Sequence, residues 1–150
     1  MTTDFRVAEV GLTYKNRVPK KDRKQVLDSY TAYKILKENF SDDTIDYRET
    51  FKVLYMNQGC QVLGCFTISE GGITNTLADV RMILQGALLT NAVAMVLAHN
   101  HPSGSTRPSR QDDELTRKVV DAARLLDIKV ADHIILTSED FYSYNDEGRI

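Results

Sequence analysis

The stretch Ala92-Val93-Ala94-Met95-Val96-Leu97-Ala98 is apolar throughout and runs directly into His99-Asn100-His101-Pro102. A strand with one wet face alternates apolar and polar residues. A short run without alternation suits a central strand covered on both faces, which requires sheet neighbours on either side and helices above and below. The run is far shorter than the roughly 20 residues a membrane span needs. The rest of the chain has to supply that covering.

The flanking periodicities do so. Residues 77–90 place Val80, Ile83, Leu84, Ala87 and Leu88 on one helical side, with Asn91 as a stop. A second helix fits residues 110–126 through Leu115, Val119, Ala122, Ala123 and Leu126, and a strand follows over 128–137. Upstream, a helix over 29–40, capped by Asp28 or Ser29, presents Ala32, Ile35, Leu36 and Phe40. Residues 49–56 read as a strand, Asn57-Gln58-Gly59 as a turn, and 60–68 as the hairpin partner, before Gly71-Gly72 breaks the pattern. Residues 5–15 are β-leaning and predict an edge strand. The order predicts an α/β fold, a mixed β-sheet flanked by helices. It forms one domain over residues 26–150, preceded by a basic arm or edge strand over 1–25.

Composition narrows the function. The chain of 150 residues is 42% hydrophobic and 27% charged, as expected of a soluble globular protein. Met1-Thr2-Thr3-Asp4-Phe5 lacks the charged-then-apolar layout of a signal peptide, so a cytoplasmic location without membrane attachment is expected. Cys60 and Cys65 are too few for a disulfide framework and read as ordinary thiols on one short strand. A net charge of −2 argues against capture of nucleic acid by the whole surface. The local exception is Lys15, Arg17, Lys20, Lys21, Arg23 and Lys24, read as a solvated arm or, alternatively, a phosphate-contacting one.

Chemistry concentrates after the apolar run. His99 and His101 are two residues apart, so extended backbone points both imidazoles to one face. The loop from Pro102 to Pro108 can fold back and bring Asp112, at the start of the next helix, to them. The place is the end of a central strand, where open α/β sheets commonly bind ligands. Two imidazoles and one carboxylate suit Zn2+ with a fourth position left to water, the pattern of a catalytic site. Hydrolysis also needs a proton carrier. Glu49 opens a predicted strand, though spacing alone does not select it over Glu70, Glu114 or Asp132. Ser109 reads equally as a helix cap paired with Asp112 or as support for a developing oxyanion.

These residues carry a resemblance. His99-Asn100-His101-Pro102, six residues, Ser109, two residues and Asp112 fill every position of the signature of the JAB/MPN (JAMM) metalloenzymes. The match is closer to the RadC-type bacterial branch, historically labelled as DNA repair proteins, through His99 to Gly104, Pro108-Ser109, Asp112, Thr116, Asp132-His133-Ile134-Ile135 and Tyr142-Ser143. It implies a cytidine deaminase-like layout, zinc held by His99, His101 and Asp112, Glu49 as the acid–base residue, and Ser109 assisting the tetrahedral intermediate. On that layout His133 lies on a separate strand, outside the ligand set. Asp132 is then a candidate hydrogen-bond partner for a ligand imidazole. RadC-type proteins usually carry a helix-hairpin-helix module that residues 1–25 are too short to hold, which weakens the DNA-repair expectation.

The expected function is therefore a zinc metallopeptidase or isopeptidase acting on a peptide or protein substrate. The alternative is a DNA-associated accessory protein binding through the basic arm. A metal-dependent nuclease fits less well, because such sites favour carboxylate-held metal pairs. Self-association as a homodimer is compatible with either main reading.

Overall fold

The computed structural model describes residues 6–72 and 77–150. Its elements are α1 (Ser29–Asn39), β1 (Thr50–Met56), β2 (Val62–Glu70), α2 (Val80–Leu89), β3 (Ala94–Asn100), α3 (Arg110–Arg124), β4 (Lys129–Leu136) and β5 (Phe141–Ser143). The five strands form one sheet in the order β2-β1-β3-β4-β5. β3 is central as its sequence requires: antiparallel to β1, parallel to β4 and buried from Met95 to Asn100. β2 and β5 complete the mixed sheet as antiparallel edges.

The pleat of β3 divides the core in two. Met95 and Leu97 join Phe51, Val53 and Tyr55 of β1 under α2 and α3, through Ile83, Ala87, Val119 and Ala123. Val96 and Ala98 join Leu54, Met56, Ile134 and Leu136 under α1, through Ala32, Ile35 and Leu36. Phe40, expected on that helix, closes the same layer from just beyond its end.

Local chemistry sets the boundaries. Asp28 rather than Ser29 caps α1: its side chain accepts from the Thr31 N–H at 2.8 Å, and Thr31 Oγ1 accepts from the Asp28 N–H at 3.0 Å. Asn57 organises the β1–β2 hairpin, its Oδ1 accepting from the N–H groups of Gly59 and Gln61. The residue there with positive φ is Cys60, at 62°. Cys60 thus belongs to the turn and only Cys65 to the strand, and both thiols are free.

The expected edge strand over residues 5–15 does not form among the described residues. Positions 6–15 carry no strand pairing, and Val10 and Leu12 are more than four-fifths exposed. Phe5 and the Met1–Phe5 segment lie outside the described residues. Burying one side of that alternation needs a partner edge. The β2 edge instead receives an isolated bridge between Gln25 and Gln61, and the Tyr14 hydroxyl donates to the Leu63 carbonyl. Among the described residues, no helix is long and apolar enough to cross a membrane.

Gly86 of α2 is a tight packing point and lies against the Tyr55 ring. A Cβ built there falls inside the ring's van der Waals envelope. The Tyr55 hydroxyl donates to the Ile83 carbonyl at 2.7 Å, which pins the ring in place. Gly86→Ala is expected to cost about 1–3 kcal/mol. This reads as a lower urea midpoint with an unchanged m-value.

Candidate metal centre

β3 delivers its last side chains by parity. His99 follows Met95 and Leu97 onto the α2/α3 side, and Asn100 turns to the α1 side. The His101 N–H still bonds the Leu136 carbonyl at 2.9 Å, so the chain stays extended and His101 shares the side of His99. Their Nε2 atoms are 3.0 Å apart. The Pro102–Pro108 loop then returns to α3, where Ser109 Oγ accepts from the Asp112 N–H at 3.0 Å and Asp112 Oδ2 accepts from the Ser109 N–H at 2.8 Å. This reciprocal cap fixes the Asp112 rotamer. It sets Oδ2 3.2 Å from His101 Nε2 and Oδ1 3.3 Å from His99 Nε2.

The donor set fits a cation. His101 Nδ1 lies 2.8 Å from the Ser105 carbonyl, which only accepts, so the ring proton belongs on Nδ1 and Nε2 keeps its lone pair. That lone pair, His99 Nε2 and a carboxylate oxygen converge on one point. These ligand atoms all lie within 4.8 Å of one another. Electron-rich atoms this close repel unless a metal ion or a proton sits between them. His99, His101 and Asp112 can therefore hold a metal ion, as the spacing predicts. Burial works to raise the Asp112 carboxyl. The His101 and His99 rings that face it, together with the Ser109 N–H, outweigh it and hold the group well below the carboxylate range. Burial works to lower His101, but Asp112 and the Ser105 carbonyl prevail and raise it.

The group opens on a cleft of about 610 Å³ whose lining includes Asp46, Glu49, Ser109 and Leu115. Glu49 sits immediately before β1 rather than within it, mostly buried. Its N–H bonds the Gly72 carbonyl at 3.0 Å and its carbonyl accepts from the Gly71 N–H at 2.8 Å. Ser109 is first of all the α3 cap.

The residue between the histidines has its own task, which sequence reading missed. Asn100 Nδ2 donates to the carbonyls of Ile45, at 2.8 Å, and Arg48, at 2.9 Å, while Oδ1 accepts from the Thr50 N–H at 2.8 Å. The strand that carries the two imidazoles thus also holds the segment that carries Glu49. Strand parity was the available signal, because a polar residue between two same-face histidines must point into the opposite layer.

Asp132 does not serve a ligand imidazole. It accepts from the Ser143 hydroxyl at 2.6 Å and from the N–H groups of Asn145 and His133. The cause is a bulge: Met95 pairs with Val130 but Val96 with Asp132, so Ala131 is skipped and the parity of β4 inverts. His133 takes the inward position instead, with its Nε2 2.8 Å from His99 Nδ1. It is fully buried, and burial pushes its imidazole well below the ordinary value, keeping it neutral.

Fold and site together define a mixed α/β domain with a two-histidine, one-carboxylate centre between a central strand and the following helix. The RadC-like JAB domain model matches residues 26–149, and the chain belongs to that family. It is 41% identical over 100 residues to a UPF0758 protein of Flavobacterium johnsoniae, covering 67% of this chain and 44% of that one. It is 38% identical over 136 residues to a UPF0758 protein of Porphyromonas gingivalis, covering 88% and 59%. It is 43% identical over 101 residues to UPF0758 protein YfjY of Escherichia coli, covering 67% and 63%. The chain thus spans about half to three-fifths of these relatives' lengths.

The two shifts give the metal-stripped site its own pH dependence. His101 is raised, so its contribution is full below the ordinary 6.5 and is lost as pH rises through its higher folded value. Asp112 is lowered, so its contribution is present above 3.8 and is lost as pH falls through its lower folded value. His133, lowered by burial, works in the opposite sense over the same range and is common to both proteins. The melting temperature that chelator-treated His101→Ala loses relative to wild type is therefore expected to be larger near pH 5.5 than near pH 8.5.

Proposed function

We propose that the chain is a zinc-dependent hydrolase of the metallopeptidase or isopeptidase type. The observation that supports it most is the convergence of His99 Nε2, His101 Nε2 and the Asp112 carboxylate on a cleft that Glu49 and Ser109 also line. Two nitrogens and one oxygen are a zinc donor set that leaves a position for water. Zinc, when bound, supplies Lewis acidity and brings the pKa of a water close to neutrality.

The remaining work falls to the chain. Glu49 takes a proton from the attacking water and returns it to the leaving nitrogen. The cap at α3 uses only a lone pair of Ser109 Oγ, so the hydroxyl proton can serve the oxygen that becomes negative. The N-terminus of α3 favours charge of that sign.

Purified protein is expected to carry about one zinc per chain, and His99→Ala to lose it. Glu49→Gln should keep the metal and lose about 10²–10⁴-fold in turnover of an internally quenched peptide pool. Metal content by mass spectrometry and the initial rate check both. Protein prepared without chelator that carries no metal overturns the reading, and an unchanged Glu49→Gln rate overturns the assigned base.

A second reading, a DNA-associated accessory protein, is favoured by one feature: Lys15, Arg17, Lys20, Lys21 and Lys24 are all exposed. On this reading, replacing Lys15, Arg17, Lys20 and Lys21 by Gln abolishes retention on duplex DNA, and wild-type affinity falls steeply between about 50 and 200 mM salt. Absence of binding at the lower salt removes it.

A further inference from the structure

Two polar side chains next to the centre neither reach its ligand point nor line the cleft: Thr116 of α3 and His133 of β4, both buried. Thr116 Oγ1 lies 2.6 Å from the main-chain carbonyl of Asp112 and 2.6 Å from His133 Nδ1. His133 Nε2 lies 2.8 Å from His99 Nδ1. The proton positions along this chain follow from counting.

A carbonyl oxygen only accepts, and two oxygens this close need a proton between them. The single hydroxyl proton of Thr116 therefore points at the Asp112 carbonyl. The hydroxyl can then only accept from His133, so the His133 proton is on Nδ1 and its Nε2 is an acceptor. His99 must donate to that acceptor, which puts its proton on Nδ1. Its Nε2, the atom aimed at His101 and Asp112, keeps its lone pair. The opposite set of tautomers would leave the Thr116 and Asp112 oxygens facing each other without a proton, and would put a proton on His99 Nε2, where a cation has to bind.

We infer that Thr116 and His133 are positioning residues, a one-way hydrogen-bond relay from the Asp112 carbonyl that holds His99 in its metal-accepting tautomer. Asp112 thereby acts twice, through its carboxylate at the ligand point and through its carbonyl four residues before Thr116 on α3. Ring stacking fixes the planes without choosing the tautomer: Phe51 lies against His99, and Tyr144 against His133. His101 is set independently by the Ser105 carbonyl, so the two imidazoles are prepared by separate devices.

The role of the relay rests on the metal reading above, but its proton arrangement can be measured without metal. Long-range proton–nitrogen correlation spectra of the full chain, stripped of metal, report the tautomer of each ring. The expected result is Nδ1–H on both His99 and His133. A proton on His99 Nε2 overturns the inference. Zinc affinity, measured by competition with a chromophoric chelator, should fall about 10- to 100-fold in Thr116→Val and return to within a few-fold of wild type in Thr116→Ser. Circular dichroism monitors the fold of each variant.

A folded Thr116→Val that binds zinc as wild type does overturns the inference. If that variant does not fold, the wild-type tautomers decide alone. Wild-type protein that shows the expected tautomers but takes up no zinc refutes the metal reading and leaves the relay standing.

Discussion

The pleat of a single strand governs this molecule. β3 is buried on both sides, so each of its residues is committed to one of two layers. Where the apolar residues stop, the same alternation continues with polar ones. His99 enters the α2/α3 layer and Asn100 the α1 layer, and His101 repeats the first choice. Shifting β3 by one residue would bury both imidazoles against α1 and carry the amide to the ligand point. Core register and site geometry are therefore one constraint, enforced by residues such as Leu97 and Ala98 that touch no ligand.

Around that strand, Asn100 and Asp112 each hold several defined partners. The Asn100 amide uses both of its donor hydrogens and its acceptor on the 45–50 segment. The Asp112 carboxylate caps α3 while facing the imidazoles. Such networks are costly to leave half satisfied in a low-dielectric interior.

Much of this was legible in the sequence, for identifiable reasons. The apolar run gave β3, helical spacing gave α1, α2 and α3 to within a few residues, and the His-x-His pair with Asp112 gave a group that can hold a metal ion. Each of these rests on local periodicity or a short loop. Features that depend on partners distant in sequence stayed hidden. Asp132 turns away from the imidazoles because a bulge at Ala131 inverts the strand's parity, and no residue there announces an extra position. The alternating pattern of the N-terminal stretch resembles a strand, but the bridge beside β2 falls at Gln25 and Gln61, and residues 6–15 pair with no strand. Asn100 and Thr116 lay in plain view within recognised motifs. What they do depends on Ile45, Arg48 and His133, which only the tertiary fold brings to them.

The reciprocal cap at α3 has a consequence for how the centre is filled. Asp112 is held in place by a backbone N–H of Ser109, and both imidazoles are oriented by groups belonging to the chain itself. The placement of these three side chains is thus supported by hydrogen bonds of the chain itself. Small zinc-nucleated domains behave in the opposite way, collapsing only as the ion arrives. On the proposed metal reading, such a chain would reach its final shape first and take up a cation afterwards. Supply of the ion would then set what fraction of molecules is loaded, while the quantity of folded protein would be set by the core.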